Sequence, residues 1–142
     1  MKYYKDFTRF KWEDDSLYEY RYIIHVTAMK TAKLFKDSTK LAEKDKYDYS
    51  TIYNEFSIIL NEIKEMKVPF EYVESHELLM SGYEYYLKAY KSLLNLDDIT
   101  KEKANISVQC IEVGNAYIKI SAYKNIEMFN SYEVKIKNKE IN

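Results

Sequence analysis

The sequence predicts an all-α protein: an up-down antiparallel four-helix bundle with an aromatic N-terminal arm and a short C-terminal tail. Three observations predict it. Two glycines and one proline in 142 residues are too few for a sandwich or barrel, which needs turn residues about every 8–12 positions. Apolar residues recur at alternating steps of three and four through four segments, the period of an amphipathic helix. The breaks between those segments are short, which makes successive helices antiparallel neighbours. At this length one domain, 1–142, buries roughly 68–70% of its unfolded surface and supports its own core.

The first helix is expected near 16–44. Ser16 followed by Glu19 forms a capping box, in which the hydroxyl and the carboxylate satisfy two early backbone N–H groups reciprocally. Its stripe is Leu17, Tyr20, Ile24, Thr27, Thr31, Leu34, Ser38 and Leu41, and the Thr and Ser at its centre make this seam partly polar. The segment KDKYDYS breaks the pattern, and Asp48 or Ser50 can cap a second helix near 51–66 with Ile52, Phe56, Ile59, Ile63 and Met66 inward. Pro69 lacks a backbone donor but suits a first helical turn, so a third helix is expected near 70–95 on Val73, His76, Met80, Tyr83, Leu87, Tyr90 and Leu94.

Asp97, Asp98 and Thr100 are candidate caps for a fourth helix near 100–129. The expected inward stripe there is Ala104, Val108, Ile111, Asn115, Ile118, Ala122 and Phe129. After Asn130 the pattern fades. Tyr132, Val134 and Ile136 alternate like a strand but have no pairing partner, so a tail is expected. At about 1.5 Å per residue the first helix spans roughly 43 Å and the second about 24 Å. Tyr3, Tyr4, Phe7, Phe10 and Trp12 are expected to cover the difference as a lid, the alternative being an exposed aromatic arm.

Composition narrows the function classes. A net charge of −1 with signs interspersed offers no global field for nucleic acid, and Lys135, Lys137 and Lys139 read as a solvated end. There is no apolar run of about 18 residues and no apolar segment after the first lysines, so neither a membrane span nor export is expected, and a cytoplasmic location is. A lone cysteine, Cys110, forms no internal disulfide and has no metal-ligand spacing around it. No cofactor is expected.

Val68 and Pro69 at a helix start, His76-Glu77-Leu78-Leu79 in the next turns, Tyr86 and Ala89 further on, and Gly114-Asn115-Ala116-Tyr117-Ile118 in the last helix form a pattern over about half the chain. It resembles a group of small helical domains found in Firmicutes lipoproteins and related proteins of unknown function. The resemblance implies an all-helical bundle and no particular reaction. This sequence departs from the lipoprotein members in showing no apolar signal segment and no lipid-accepting cysteine near Met1, so surface anchoring is not expected to carry over.

Catalytic constellations are missing from the pattern. A di-iron bundle needs Glu-x-x-His on two helices, whereas Tyr22 precedes His25 by three and Val73 precedes His76 by three. There is no His-x-x-x-His zinc spacing. Cys110 lies mid-helix, away from the helix N-terminus that would activate a thiol, and reads as a small hydrophobe. Gly82 and Gly114 stand alone within helices, where each costs about 1 kcal/mol relative to alanine, so close helix approach explains them better than a phosphate loop. His76, on an apolar stripe, is expected to be a packed neutral imidazole with Asn115 as its polar neighbour, and tolerant of leucine.

Two of the helices carry a second stripe. Ile106, Cys110, Val113, Tyr117 and Ile120 recur on the fourth, and Ser75, Leu78, Gly82, Tyr85, Ala89 and Ser92 on the third. Two-faced helices imply a partner or cover by the termini. The leading reading is therefore a non-catalytic interaction module that binds a protein partner or itself, most simply as a homodimer through Leu78, Gly82, Tyr85, Ala89, Ile106, Val113, Tyr117 and Ile120. The alternative is a small-ligand binder with a pocket between helices at His76, Asn115, Thr27 and Thr31. A third reading, an inhibitor of host machinery encoded by a mobile element, fits the compact Lys- and Ile-rich chain.

Overall fold

The structure, a computed structural model, describes residues 2–3, 15–43, 48–94 and 100–141. Among them the chain is all-α: α1 (Asp15–Glu43), α2 (Ser50–Glu65), α3 (Val73–Lys91) and α4 (Lys101–Ile141). One short 3-10 turn, Phe70–Tyr72, leads from Pro69 into α3. Two residues of extended chain at each of two places, β1 (Lys2–Tyr3) and β2 (Lys67–Val68), pair in parallel with Lys2 opposite Lys67 and Tyr3 opposite Val68. That contact ties the start of the chain to the end of α2. The rest of the aromatic arm, Tyr4, Phe7, Phe10 and Trp12, lies outside the described residues.

Side-chain pairs fix the directions of the helices. Phe35 meets Phe56 and Lys30 meets Glu62, so α1 and α2 are antiparallel. Tyr49 lies against Tyr90 while His76 reaches the Ile63 carbonyl, so α2 and α3 are antiparallel as well. Gly82 lies against Gly114 and Ile118, and Ser121 bonds the Ser75 carbonyl, which reverses α4 against α3. The consequence is that α1 and α3 run parallel, as Tyr20–His76 and Ser38–Tyr90 show.

Local chemistry sets the helix starts. The Asp48 carboxylate accepts from Ser50 N–H at 3.1 Å and from the Ser50 hydroxyl at 2.6 Å, turning the chain into α2. Those two bonds hold its carboxyl below the usual range. Thr100 caps α4 by accepting from Lys103 N–H at 3.1 Å. The capping box expected at Ser16 is not part of this picture: α1 already includes Asp15, and the Ser16 side chain is outside the described set.

The core forms around Phe56, which is fully buried. Its ring centroid is 5.4 Å from Phe35, 5.4 Å from Tyr86, 5.5 Å from Tyr90 and 6.3 Å from Tyr83. Such aromatic pairs contribute about 0.5–1.5 kcal/mol each beyond the area they bury, so this residue of α2 locks α1 and α3 together. The expected α1 stripe is inward, with Leu17, Tyr20, Thr27, Thr31 and Leu34 buried, and so is the α2 stripe.

Two expectations for the last helix are corrected. The tail foreseen after Asn130 is helical: α4 runs 41 residues to Ile141, about 62 Å. Extending a helix adds one hydrogen bond per residue fixed, without a new nucleation cost. The run from Ser131 has no Gly or Pro to stop it, and short β-type alternation does not outweigh that. The inward face is also rotated. Val108 is 54% exposed, and Ala104, Asn115 and Ala122 are exposed too, while Ser107, Cys110, Gly114 and Ser121 are buried. The two apolar stripes of α4 therefore flank a buried seam of small residues, which lets the helix sit close on Ser75, Gly82 and Ala89 of α3.

Candidate functional site

The parallel pair α1 and α3 is joined by a ladder of side-chain hydrogen bonds at seven-residue intervals on α3. At its first rung the Tyr20 hydroxyl meets His76 Nδ1 at 2.8 Å, and His76 Nε2 meets the Ile63 carbonyl at 2.9 Å. A carbonyl only accepts, so Nε2 carries the proton and Nδ1 accepts from Tyr20; this is the neutral Nε2–H tautomer. At the second rung the Thr31 hydroxyl donates to the Thr27 carbonyl at 2.8 Å and Tyr83 pairs with Thr31 Oγ1. At the third the Tyr90 hydroxyl donates to Ser38 at 2.9 Å. Every rung joins a Thr, Ser, Tyr or His on otherwise apolar faces, so the ladder fixes the register of the two helices.

Burial sets the protonation of this ladder. It lowers the His76 pKa below its usual value, only partly opposed by the bond to the Ile63 carbonyl. It raises the Tyr83 phenol to about 12 and pushes Tyr20, Tyr86 and Tyr90 up as well. A raised folded-state pKa means that the unfolded chain loses its phenolic protons first, so stability is present below about pH 10 and is lost as pH rises beyond it. The part of the 295 nm absorbance that comes from these buried tyrosines is expected to rise together with loss of far-UV helicity above that pH. Full ionisation of all tyrosines with the helices intact would contradict the burial.

Beside the ladder, α1 and α4 do not close on each other. Between them lies a cleft of about 310 Å³, floored by Leu79, Tyr83 and Tyr86 of α3. Thr27, Ala28, Thr31 and Phe35 form one wall, and Asn115, Ile118, Ala122 and Asn125 the other. The Tyr86 hydroxyl donates to Asn115 Oδ1 at the floor, and Asn125 pairs with Ser75. The structure thus brings together three of the four residues expected in a pocket, Thr27, Thr31 and Asn115. It does not bring His76 there, which is fully buried outside the lining with both ring nitrogens engaged. The expected His76–Asn115 pairing is corrected accordingly: Tyr20 and Ile63 serve His76, and Tyr86 serves Asn115. A larger open groove, about 750 Å³, separates α1 from α2 and mixes Lys30, Lys33 and Lys40 with Asp37, Asp48 and Glu55.

The expected partner-binding residues divide into two groups. Gly82 is buried against Gly114 and Ile118 of α4, and Ala89 is fully buried, so neither is open to a partner. Leu78 is half-buried, and Tyr85 stacks on Tyr117 with centroids 5.6 Å apart and planes at 18°. Ile106, Val113 and Ile120 stand out at 43%, 39% and 48% exposure on the flank of α4 opposite the cleft. Cys110 is buried, as a small hydrophobe would be. Among the described residues no three His, Cys, Asp or Glu side chains converge as a metal site requires, and no helix is long and apolar enough to cross a membrane.

Asn125 and Phe35 were not singled out by sequence. Asn125 falls between the two apolar stripes of α4, at the small-residue seam, and only that seam's pattern of Ser107, Gly114 and Ser121 marks its face. No family model, curated protein or solved structure matches this chain.

Proposed function

We propose that this protein is a non-catalytic helical interaction module that pairs with a second copy of itself through the outer flank of α4. The observation that carries the reading is the order of side chains on that flank: Glu102, Ile106, Gln109, Val113, Tyr117, Ile120 and Lys124. Its steps, four-three-four on either side of Val113, are palindromic. Two copies laid antiparallel about a two-fold axis at Val113 set Ile106 opposite Ile120, Gln109 opposite Tyr117 and Glu102 opposite Lys124. A two-fold interface needs a self-complementary surface of this kind, apolar at the centre and oppositely charged at its two ends. Lys124 already meets Glu74 at 3.1 Å with both side chains partly solvated, so it keeps capacity for a second carboxylate.

Sizing with light scattering tests this reading. The protein is expected to be a dimer, and Val113→Glu combined with Tyr85→Glu a folded monomer, because a carboxylate at the axis faces its own copy. Lys124→Glu is expected to weaken the dimer and Glu102→Lys added to it to restore it. A wild-type protein that stays monomeric at high concentration would remove the reading.

A further inference from the structure

Independently of self-association, we infer that the cleft between α1 and α4 is a binding site for an uncharged, elongated, largely apolar small molecule that carries a hydrogen-bond acceptor, such as an acyl ester. None of the residues lining the cleft is charged, in a chain of which 32% of residues are. A buried or half-buried ion would find no counter-charge there, so the lining selects against carboxylates and ammonium groups. The volume, about 310 Å³, stands at the small end of ligand pockets, which run from about 300 Å³ to 1,000 Å³. It is too small for a docking helix about 10 Å across. The α1 wall extends from Ile24 to Phe35 and the α4 wall from Asn115 to Asn125. At about 1.5 Å per residue each wall is about 15 Å long, hence an elongated occupant.

Polarity is concentrated near the floor. Because Tyr86 donates to Asn115 Oδ1, the NH2 group of that amide is the one left to donate, and a ligand carbonyl is the group it would receive. Thr31 already donates to the Thr27 carbonyl, so the proton of the Tyr83–Thr31 bond comes from Tyr83 and no second free donor is left at that rung. Asn125 accepts from Ser75 through Oδ1 and keeps its NH2 group in the same way, so an amide donor stands at either end of the α4 wall to hold the acceptor end of a ligand. Ala28 and Ala122, one on each wall, keep the slot open, and both are exposed to it without core neighbours to displace.

The test uses the whole chain and the neutral fluorophore N-phenyl-1-naphthylamine, displaced by methyl decanoate, by decanoate and by decylammonium. Fluorophore emission is expected to rise on binding. Methyl decanoate is expected to displace it at a concentration at least tenfold lower than either ion of the same chain length. Ala28→Trp, or Ala122→Trp on the other wall, is expected to abolish binding with an unchanged thermal melt and sizing profile. Asn115→Leu combined with Asn125→Leu is expected to raise the ester's midpoint severalfold and leave that of the fluorophore unchanged. Val113→Glu is expected to bind as the wild type does, which separates this site from the dimer seam. No emission rise, equal displacement by the ions, binding that survives both tryptophan variants, or loss of binding in Val113→Glu would each overturn the inference.

Discussion

His76→Leu is expected to destabilise the fold by about 2–4 kcal/mol, although leucine fills a similar volume in an apolar setting. The imidazole is fully buried and serves two other buried groups, the Tyr20 hydroxyl and the Ile63 carbonyl. Ile63 is among the last residues of α2, whose final carbonyls have no partner within their own helix. Leucine leaves both unsatisfied, and each such group costs about 1–3 kcal/mol. The tolerance expected from sequence alone takes the imidazole as the only polar group at stake, and its two buried partners replace that expectation with a loss. Tyr20→Phe added to His76→Leu removes one of the two orphans, so the double variant is expected to be less destabilised than the two single losses sum to. Urea melts decide this, and a His76→Leu loss under about 0.5 kcal/mol would contradict the geometry. The same site predicts acid sensitivity. Its folded-state pKa is depressed, chiefly by burial, so the neutral form is the stabilising one. Its contribution is complete above the unfolded value of about 6.5 and is lost as pH falls below that toward the folded pKa. His76→Leu is expected to flatten that part of the stability profile.

What was legible in the sequence follows the strength of the periodic signal. The stripes of α1 and α2 were readable because large apolar residues sit on one face with charges opposite, and burial of Leu17, Tyr20, Ile52, Phe56 and Ile63 bears that out. On α4 the same rule failed, since the residues that bury deepest, Ser107, Gly114 and Ser121, are small, and hydrophobic scoring passes over them in favour of Val108 and Ile120 on either side. A seam made by close backbone approach is marked by what is absent from the side chain. The two glycines were its one clear sign. The cleft was half legible: Thr27 and Thr31 were readable as polar interruptions of the α1 stripe, but their partner Tyr83 belongs to α3 through a parallel register that no local pattern specifies. His76 went to the wrong partner for the same reason, because the distance between α1 and α3 in sequence hides Tyr20.

Gly114→Ala is expected to cost about 1–3 kcal/mol, against the rule that alanine is the better helix former by about 1 kcal/mol. A methyl group at Gly114 would lie 2.7 Å and 2.8 Å from two ring carbons of Tyr86 and 2.9 Å from the Gly82 carbonyl oxygen. Neither neighbour can yield cheaply. The Tyr86 ring is held among Phe35, Phe56 and Tyr83, and its hydroxyl is bonded to Asn115; the Gly82 oxygen is backbone of α3. Relief requires α3 and α4 to move apart, which loosens the packing of Ser75, Ala89, Ser107 and Ser121 as well. Gly82→Ala meets Ile118 Cγ1 at 2.5 Å and the Gly114 oxygen at 3.0 Å. That side chain borders the cleft and has room to swing into it, so the second variant is expected to lose less than the first. Tyr86→Leu should then recover part of the Gly114→Ala loss by clearing the ring, a coupling that independent sites do not show. Thermal melts of the three variants check the order, and a Gly114→Ala protein more stable than wild type would mean that the two helices are not in close contact at this level.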